Sequence, residues 1–305
     1  MHSIETFAHA RVGLLGNPSD IYAGKGIGFA VRQLKATVRL RSDEQKPLEG
    51  DILQAGWRVA EPVLRESGAQ LHGQDFALEV ETNIPLRSGL SGSSAVLTAA
   101  FRAWQRWFDV SWSRARVAQL VLQTEVDELG IRAGALDRLV QSFEGLVAMD
   151  FSRPFAPSST QRLDPGLLPE FLLVWSGEPG LSSGDVHGPI YERFLEGDES
   201  IRTVVEELGE LAEQGRRALE ARDRAHLHGL IDRNFDLRAQ LFEIQPVDRA
   251  MIEIGRDMGA ATKFCGSGGS ILALPDRPEH MDELRRVFED QGYKTLIPGV
   301  AEPRS

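Results

Sequence analysis

The chain has 305 residues, of which 42% are hydrophobic and 26% are charged, and its formal net charge is −11. This length allows a sizeable buried core and predicts two domains. The acidic balance, without any Lys/Arg-rich run, argues against a nucleic-acid partner. A single cysteine, Cys265, rules out an internal disulfide, and no run approaches ~18 apolar residues. We therefore expect a cytoplasmic protein with no signal peptide and no membrane span.

The first elements along the chain are predicted strands and one helix. Ala8–Gly16 has the composition of a strand, and Asn17–Asp20 has the residue types of a turn. The alternation over Phe29–Arg41 predicts one or two antiparallel strands. Asp51–Glu66 has helical spacing, and its Pro62 predicts a bend or an interruption of that helix.

A glycine- and serine-rich loop occupies the middle of the first half. The strand-like run Asp75–Thr82 leads into Asn83–Ala95, and an apolar run with helical spacing follows. Free N–H groups at such a helix start can face an anion, and the hydroxyls of Ser93 and Ser94 can bind phosphate oxygens or Mg²⁺. An ordinary serine N-cap after a turn explains an isolated loop of this kind equally well. The stretch is not a Walker P-loop, because no lysine follows its second glycine.

Carboxylates concentrate in the rest of the first half. Ser113–Leu129 reads as a helix whose last part carries Glu125 and Glu128, and such a cluster is usually a solvated face. Asp137 stands at the start of a further apolar helix, where the helix dipole favours an acid. Phe143–Phe151 is predicted as the strand that closes the first domain.

The second half alternates predicted helices and strands. Ser152–Pro169, rich in Pro and Ser, is predicted as a linker, and Ser182–Gly188 as a polar loop. Ala261–Ala273 is a predicted strand–glycine turn–strand, either a plain hairpin or a turn packed against a ligand or the first glycine loop. The other predicted elements are Phe171–Trp175, Gly188–Leu195, Glu199–Ala221, Ala225–Leu241, Met251–Met258, Glu279–Gln291 and Lys294–Ile297.

Three separate segments together resemble the motifs of the GHMP small-molecule kinases, a family that includes galactokinase, homoserine kinase and mevalonate kinase. They are ARVGLLGNPSD (10–20), IPLRSGLSGSSA (84–95) and KFCGSGGSILAL (263–274). GLVAMDFS (145–152) and RNFDLR (233–238) are most similar to the glucuronokinase type. The resemblance implies an α+β fold with an N-terminal ribosomal-S5-like domain, predicted over 1–155, and a C-terminal ferredoxin-like domain, predicted over 156–305.

The resemblance also implies roles for individual residues. The triphosphate of ATP would be bound by the central loop at Pro85, Gly89, Leu90, Ser91, Gly92, Ser93 and Ser94. Mg²⁺ would be held by Ser94 and Glu125, with Glu128 as the alternative to the glutamate. The catalytic aspartate would be Asp137, which would take the proton of the attacking hydroxyl, with Arg11 beside it to keep it ionised. The sugar would be bound by Asn17, Asp20, Gly266, Ser267 and Gly268.

The implied reaction is transfer of the ATP γ-phosphoryl group to the anomeric 1-hydroxyl of a sugar, with D-glucuronate as the expected substrate. A uronic acid should attract a bidentate arginine, and the sequence leaves Arg87, Arg138, Arg233 and Arg238 open. Another sugar 1-kinase (heptose, galactose, fucose or arabinose type), a non-catalytic sugar sensor and a phosphate-dependent decarboxylase remain alternatives. No partner beyond the sugar and ATP is expected, and a monomer and a homodimer are both open.

Overall fold

Two antiparallel sheets with helices packed on them make up the protein. The computed structural model describes residues 2–42, 48–71, 76–177 and 190–303. The predicted polar loop Ser182–Gly188 lies outside these residues. The predicted α+β architecture is confirmed, since each sheet pairs only antiparallel strands and the helices lie between and after them.

The first sheet is organised around one long strand. Its strands are β1 (Ser3–Leu15), β2 (Lys25–Arg41), β3 (Ala77–Thr82), β4 (Leu146–Asp150) and β5 (Thr160–Leu163). β2 pairs with β1 along one edge and with β3 and β4 along the other. The alternating run over Phe29–Arg41 is therefore a single strand, which begins four residues before the predicted start.

The described part of the first half contains four α-helices. Their bounds are α1 (Asp51–Glu66), α2 (Gly92–Trp107), α3 (Arg114–Gln123) and α4 (Leu136–Phe143). The predicted apolar face of α2 is buried, including Leu97, Phe101 and Trp104. The predicted interruption at Pro62 is wrong, because α1 continues through it. Burial of its apolar face against α2 outweighs the loss of one helical hydrogen bond. A π-helical turn, Thr124–Glu128, follows α3 directly.

The second sheet has the order β7-β8-β6-β9. Its strands are β6 (Leu172–Trp175), β7 (Ala261–Phe264), β8 (Ser270–Leu274) and β9 (Lys294–Leu296). The helices are α5 (Glu199–Glu220), α6 (Arg224–Leu241), α7 (Pro246–Asp257) and α8 (Met281–Asp290), with a short helix at 190–195. α7 begins five residues before its predicted start, with Pro246 in the first turn, where proline is favoured.

The two halves of the chain share one core rather than meeting at a clean boundary. The predicted linker Ser152–Pro169 contains β5, which pairs with β4 in the first sheet. The chain end also returns to that sheet, where Ala301 N–H donates to the carbonyl of Ala30 at 2.8 Å. The boundary between residues 155 and 156 stays a prediction. Within the described residues, no helix is both long and apolar enough to cross a membrane.

Candidate active site

Segments far apart in the sequence line a single cleft of about 880 Å³. They are the turn after β1, the glycine-serine loop before α2, the start of α4 and the turn between β7 and β8. All but one of the predicted site residues line it: Arg11, Asn17, Asp20, Pro85, Gly89, Leu90, Ser91, Gly92, Ser93, Ser94, Glu125, Asp137, Gly266 and Ser267. The exception, Gly268, borders a smaller cavity nearby.

The start of α2 presents free backbone donors to this cleft. The helix begins at Gly92 after Ser91, which has φ 62 and no side-chain cap bond. Its first helical hydrogen bond runs from Ala95 N–H to the Ser91 carbonyl at 3.0 Å. The N–H groups of Gly92, Ser93 and Ser94 therefore have no acceptor within the helix. This is an anion-binding geometry rather than the ordinary serine cap.

The two glycine turns touch through their backbones. A Cβ on Gly89, where φ is 68, would lie 2.1 Å from the carbonyl oxygen of Gly268. A Cβ on Gly266 would lie 2.3 Å from the carbonyl oxygen of Gly89, and one on Gly269 would lie 2.8 Å from that of Arg87. Only glycine fits at such distances. The turn between β7 and β8 is therefore not a plain hairpin, because it packs closely against the first glycine loop.

A buried ion pair joins β1 to α4 beside these turns. Arg11 Nε lies 2.5 Å from Asp137 Oδ1, and Arg11 Nη2 lies 2.6 Å from Oδ2, which is a bidentate pair. The third nitrogen of Arg11 donates to the Gly89 carbonyl at 2.6 Å. Burial raises the pKa of Asp137, but Arg11 and Arg138 lower it more, to about 2. Asp137 is therefore ionised throughout the neutral range.

Asp20 has the opposite electrostatic setting. It lies in a 3₁₀ turn, Ser19–Tyr22, and its Oδ2 accepts the Leu136 N–H at 3.2 Å. Burial and the negative charge of Asp137 raise the pKa of Asp20 to about 6, against the lowering effect of the Leu136 hydrogen bond. Asp20 and Asp137 thus face one cleft with pKa values on opposite sides of the ordinary aspartate value.

Asn17 is held by a lysine that the sequence did not single out. Lys263 Nζ is buried and donates to Asn17 Oδ1 at 3.0 Å and to the carbonyls of Gly13 and Phe264, both at 2.6 Å. The Asn17 carbonyl accepts from Asn234 Nδ2 at 3.4 Å. Lys263 therefore fixes the turn after β1 against β7. Nothing in the apolar run around it predicted this, since its acceptors are 246 and more residues away except for Phe264.

Of the two glutamates predicted as alternatives for Mg²⁺, Glu125 lines the cleft and Glu128 does not. Ser94 Oγ donates to Glu125 Oε1 at 2.7 Å, and Arg138 pairs with Oε2 through Nε and Nη2. Glu125 is 1% exposed, and burial raises its pKa despite Arg138 and Ser94. Glu128 instead points to the surface, where it pairs with Arg58 at 2.6 Å. The solvated-face prediction therefore holds for Glu128 and fails for Glu125.

The donors beside α2 fit a magnesium ion. Mg²⁺ prefers hard oxygen ligands and commonly takes one or two carboxylates, with phosphate oxygens and waters completing its shell. Ser94 supplies a hydroxyl and Glu125 a carboxylate, and both line the cleft next to the free N–H groups of α2. Among the described residues no group of three or more His, Cys, Asp or Glu could hold a metal by itself. This donor set matches an ion bound together with a phosphate.

Of the four arginines considered for a substrate carboxylate, the structure separates one from the cleft. Arg233 gives Nε and Nη2 to Glu207 at 2.7 and 2.9 Å and does not line the cleft. Arg138 lines it but is paired with Glu125. Arg87 and Arg238 line it without any ion pair to a described residue. Arg233 thus lies on an exposed face of α6, whereas Arg238 is buried in the same helix.

Two family models match the chain. The GHMP kinases N terminal domain matches residues 56–145, and the GHMP kinases C terminal model matches residues 215–294. "Glucuronokinase 1" of Arabidopsis thaliana is 34% identical over 99% of this chain and 93% of its own length. "Probable glucuronokinase 2" of the same plant is 35% identical over 93% of this chain and 88% of its own.

Solved structures share the fold. A galactokinase from Lactococcus lactis, complexed with galactose, aligns with a TM-score of 0.80 over 99% of this chain and 94% of its own, at 16% identity. The Lin0012 protein from Listeria innocua aligns with a TM-score of 0.84 over 99% of both chains, at 17% identity. The motifs, both family models and the full-length similarity to the glucuronokinases agree, and this chain belongs to the GHMP kinase family.

Proposed function

We propose that this protein is a sugar kinase that transfers the γ-phosphoryl group of ATP to the anomeric 1-hydroxyl of D-glucuronate. The observation that carries the proposal is the pairing of Arg11 with Asp137 in the same cleft as the free N–H groups of α2. A proposed anion site for a triphosphate and an ionised aspartate for an attacking hydroxyl thus line one cleft. The similarity to two glucuronokinases over nearly the whole chain supports the choice of sugar.

Phosphoryl transfer mainly requires positioning and charge neutralisation. The N–H groups of Gly92, Ser93 and Ser94 can bind the phosphate oxygens of ATP, while Pro85, Gly89, Leu90 and Ser91 shape the loop around them. Ser94 and Glu125 would hold Mg²⁺, which neutralises charge on the phosphates when bound. The new bond joins the anomeric oxygen to Pγ, and the bond from Pγ to the bridging oxygen breaks, giving ADP and glucuronate 1-phosphate.

Asp137 acts on the sugar hydroxyl mainly as an ionised hydrogen-bond acceptor. A group with a pKa of about 2 is a weak base, since efficient general bases titrate near the working pH. The transition state of phosphoryl transfer is loose, however, so the hydroxyl proton passes to Asp137 late and orientation of the oxygen matters most. Arg11 holds the carboxylate in one position and keeps it charged.

The sugar side of the proposal uses the other predicted residues. Asp20 can accept hydrogen bonds from sugar hydroxyls, and the turn at Gly266, Ser267 and Gly268 borders the same space. Asn17 contributes by shaping the turn after β1, because its amide oxygen and its backbone carbonyl are both held by hydrogen bonds. A cytoplasmic location and a monomeric or homodimeric state belong to this proposal.

The second candidate function is a 1-kinase for a neutral sugar, which the shared fold with a galactokinase favours.

The direct test is ADP release with Mg·ATP across glucuronate, galacturonate, glucose, galactose, fucose, arabinose, mannose and heptoses. We expect a strong preference for glucuronate and an acid-labile 1-phosphate as product, identified by ³¹P NMR. Turnover of a neutral sugar alone would favour the second candidate. Sugar binding without ADP release would support the sensor alternative. Release of CO₂ from a diphosphorylated substrate would establish a decarboxylase.

Replacing Asp137 by asparagine should remove the charge that orients the sugar hydroxyl. We expect kcat of Asp137→Asn to fall by about 10²- to 10⁴-fold, the range for a positioned acid or base. The KM for ATP should change less than kcat, because the N–H groups proposed to bind the phosphates belong to α2 and not to Asp137. The matched control is Asp127→Asn, an exposed carboxylate on the neighbouring π-helical turn. Near-normal turnover by Asp137→Asn would overturn its role.

Glu125 and Glu128 can be separated by magnesium titration of the turnover rate at fixed ATP. We expect Glu125→Gln to raise the Mg²⁺ concentration for half-maximal rate by about 10- to 100-fold, as for a lost oxygen ligand. Glu128→Gln, whose native side chain pairs with Arg58 at the surface, should leave that concentration unchanged. A larger effect of Glu128→Gln would reverse the assignment. Thermal unfolding of both variants checks that the fold is retained.

The pKa of Asp20 predicts a pH dependence of sugar use. Because that pKa is raised to about 6, Asp20 is protonated below this pH and loses its ability to accept sugar hydroxyls. At saturating Mg·ATP, kcat/KM for the sugar should therefore fall as the pH drops through about 6. Asp20→Asn should lack this inflection and stay lower at neutral pH. An inflection that persists in Asp20→Asn would show that another group titrates.

A further inference from the structure

Arg238 is a buried cation at the wall of the cleft. It lies in the last turn of α6, is 2% exposed and lines the cleft beside Ser267. Its guanidinium carbon is 4.8 Å from the ring centroid of Phe242 and 5.5 Å from that of Phe264. Aromatic faces attract a cation but do not replace the hydrogen bonds that it makes in water. A charge in such a setting is expensive to bury unless an anion accompanies it.

No carboxylate of the described residues forms an ion pair with Arg238. Arg238 Nη2 donates to the Ser267 carbonyl at 3.3 Å, and its Nε has no hydrogen-bond partner in the described part of the chain. Burial lowers the pKa of Arg238 to about 10, although Asp248 and Asp20 act in the opposite direction. The group is therefore still charged at neutral pH and has an unused donor.

The other arginines of this region have different settings. Three of them already hold a carboxylate: Arg11, Arg138 and Arg233. Arg87 and Arg132 line the cleft but are exposed, so water competes for their donors, and Arg132 lies over the ring of Tyr191 at 4.4 Å. Arg238 alone combines deep burial, a place on the cleft wall and an unsatisfied nitrogen among the arginines in the described ranges.

The position of Arg238 fits a substrate that is held at both ends. A Cβ on Gly266 would lie 2.7 Å from Arg11 Nη2, and the next residue, Ser267, accepts a hydrogen bond from Arg238. Consecutive Cα atoms are about 3.8 Å apart, so the two guanidinium groups flank one short turn. A pyranose uronic acid carries its anomeric hydroxyl and its carboxylate on either side of the ring oxygen. The hydroxyl can face Asp137 while the carboxylate reaches Arg238.

We propose that Arg238 binds the carboxylate of the uronic acid through its guanidinium group and that it selects uronic acids against neutral sugars. The proposal rests on the proposed sugar kinase activity and adds the residue that recognises the substrate. A planar guanidinium fork matches a carboxylate in two parallel hydrogen bonds, which a lysine cannot make. Arg238 is thus a specificity-determining residue, separate from the phosphoryl-transfer groups.

The test compares D-glucuronate with D-glucose, which differ only at C6. We expect Arg238→Met to lower kcat/KM for glucuronate by about 10- to 150-fold, the effect of losing a hydrogen bond to a charged group. The value for glucose should change by less than about three-fold, so that the glucuronate-to-glucose ratio collapses. Arg238→Lys should fall between wild type and Arg238→Met. The matched control is Arg233→Met on the same helix, which should leave the ratio unchanged.

A second readout separates ligand recognition from a structural role. Arg238→Met keeps the side-chain length between the two rings and removes an unpaired buried charge, so its thermal midpoint without ligand should equal or exceed that of wild type. Glucuronate should raise the midpoint of wild type and not that of Arg238→Met. A lower midpoint without ligand, together with an unchanged ratio, would make Arg238 structural and overturn the proposal.

The outcomes also separate this proposal from the proposed function. If wild type phosphorylates no sugar, the sugar kinase activity itself is wrong, and recognition by Arg238 falls with it. If wild type prefers glucuronate and Arg238→Met keeps that preference, only the role of Arg238 is wrong. A collapse of the ratio in Arg87→Met or Arg132→Met instead would move the carboxylate site to an exposed arginine.

Discussion

The contact between two glycine turns is the constraint on which the cleft depends. Gly89 and Gly266 approach the facing backbone so closely that no side chain could be added at either position without moving the other turn. Arg11 lies in the same junction, since it donates to the Gly89 carbonyl while it holds Asp137. The loop before α2, Asp137 and the turn between β7 and β8 are thereby fixed relative to one another. Such pre-organisation favours phosphoryl transfer, where most of the work is positioning.

An acidic protein can bind two anions here because local charges, not the net charge of −11, set the potential of the cleft. At one end the free N–H groups of α2 provide partial positive charge for the phosphates. At the other end Arg238 supplies a positive charge that forms no ion pair with a described carboxylate. Between them Asp137 keeps its negative charge because two nitrogens of Arg11 donate to its two carboxylate oxygens. The alternation suits two ligands bound together, a triphosphate at one end and a uronate carboxylate at the other, with the sugar hydroxyl between them.

The sequence predicted the parts of this site that are built from local signals. Glycines at 89, 266 and 268 and the strand–loop–helix order around Ser93 indicate a phosphate loop, and the GHMP resemblance supplied Asp137 and Arg11. The sequence could not predict contacts that form only when distant segments of the chain meet in the fold. Lys263 lies in an apolar strand with no sign that it anchors Asn17. Likewise, the sequence RNFDLR does not distinguish Arg233 from Arg238. In the structure Arg233 pairs with Glu207, whereas Arg238 lines the cleft. The strand β5 was hidden in a Pro- and Ser-rich stretch because edge pairing depends on its neighbour, not on its own composition.

A crystal structure of the protein with D-glucuronate, Mg²⁺ and a non-hydrolysable ATP analogue would show whether the cleft holds both ligands in the proposed arrangement. Our account predicts phosphate oxygens at the N–H groups of Gly92 and Ser93, the anomeric oxygen within hydrogen-bond distance of Asp137, and the sugar carboxylate on Arg238. A sugar bound with its anomeric hydroxyl turned away from Asp137, or a triphosphate that does not contact the start of α2, would contradict the account.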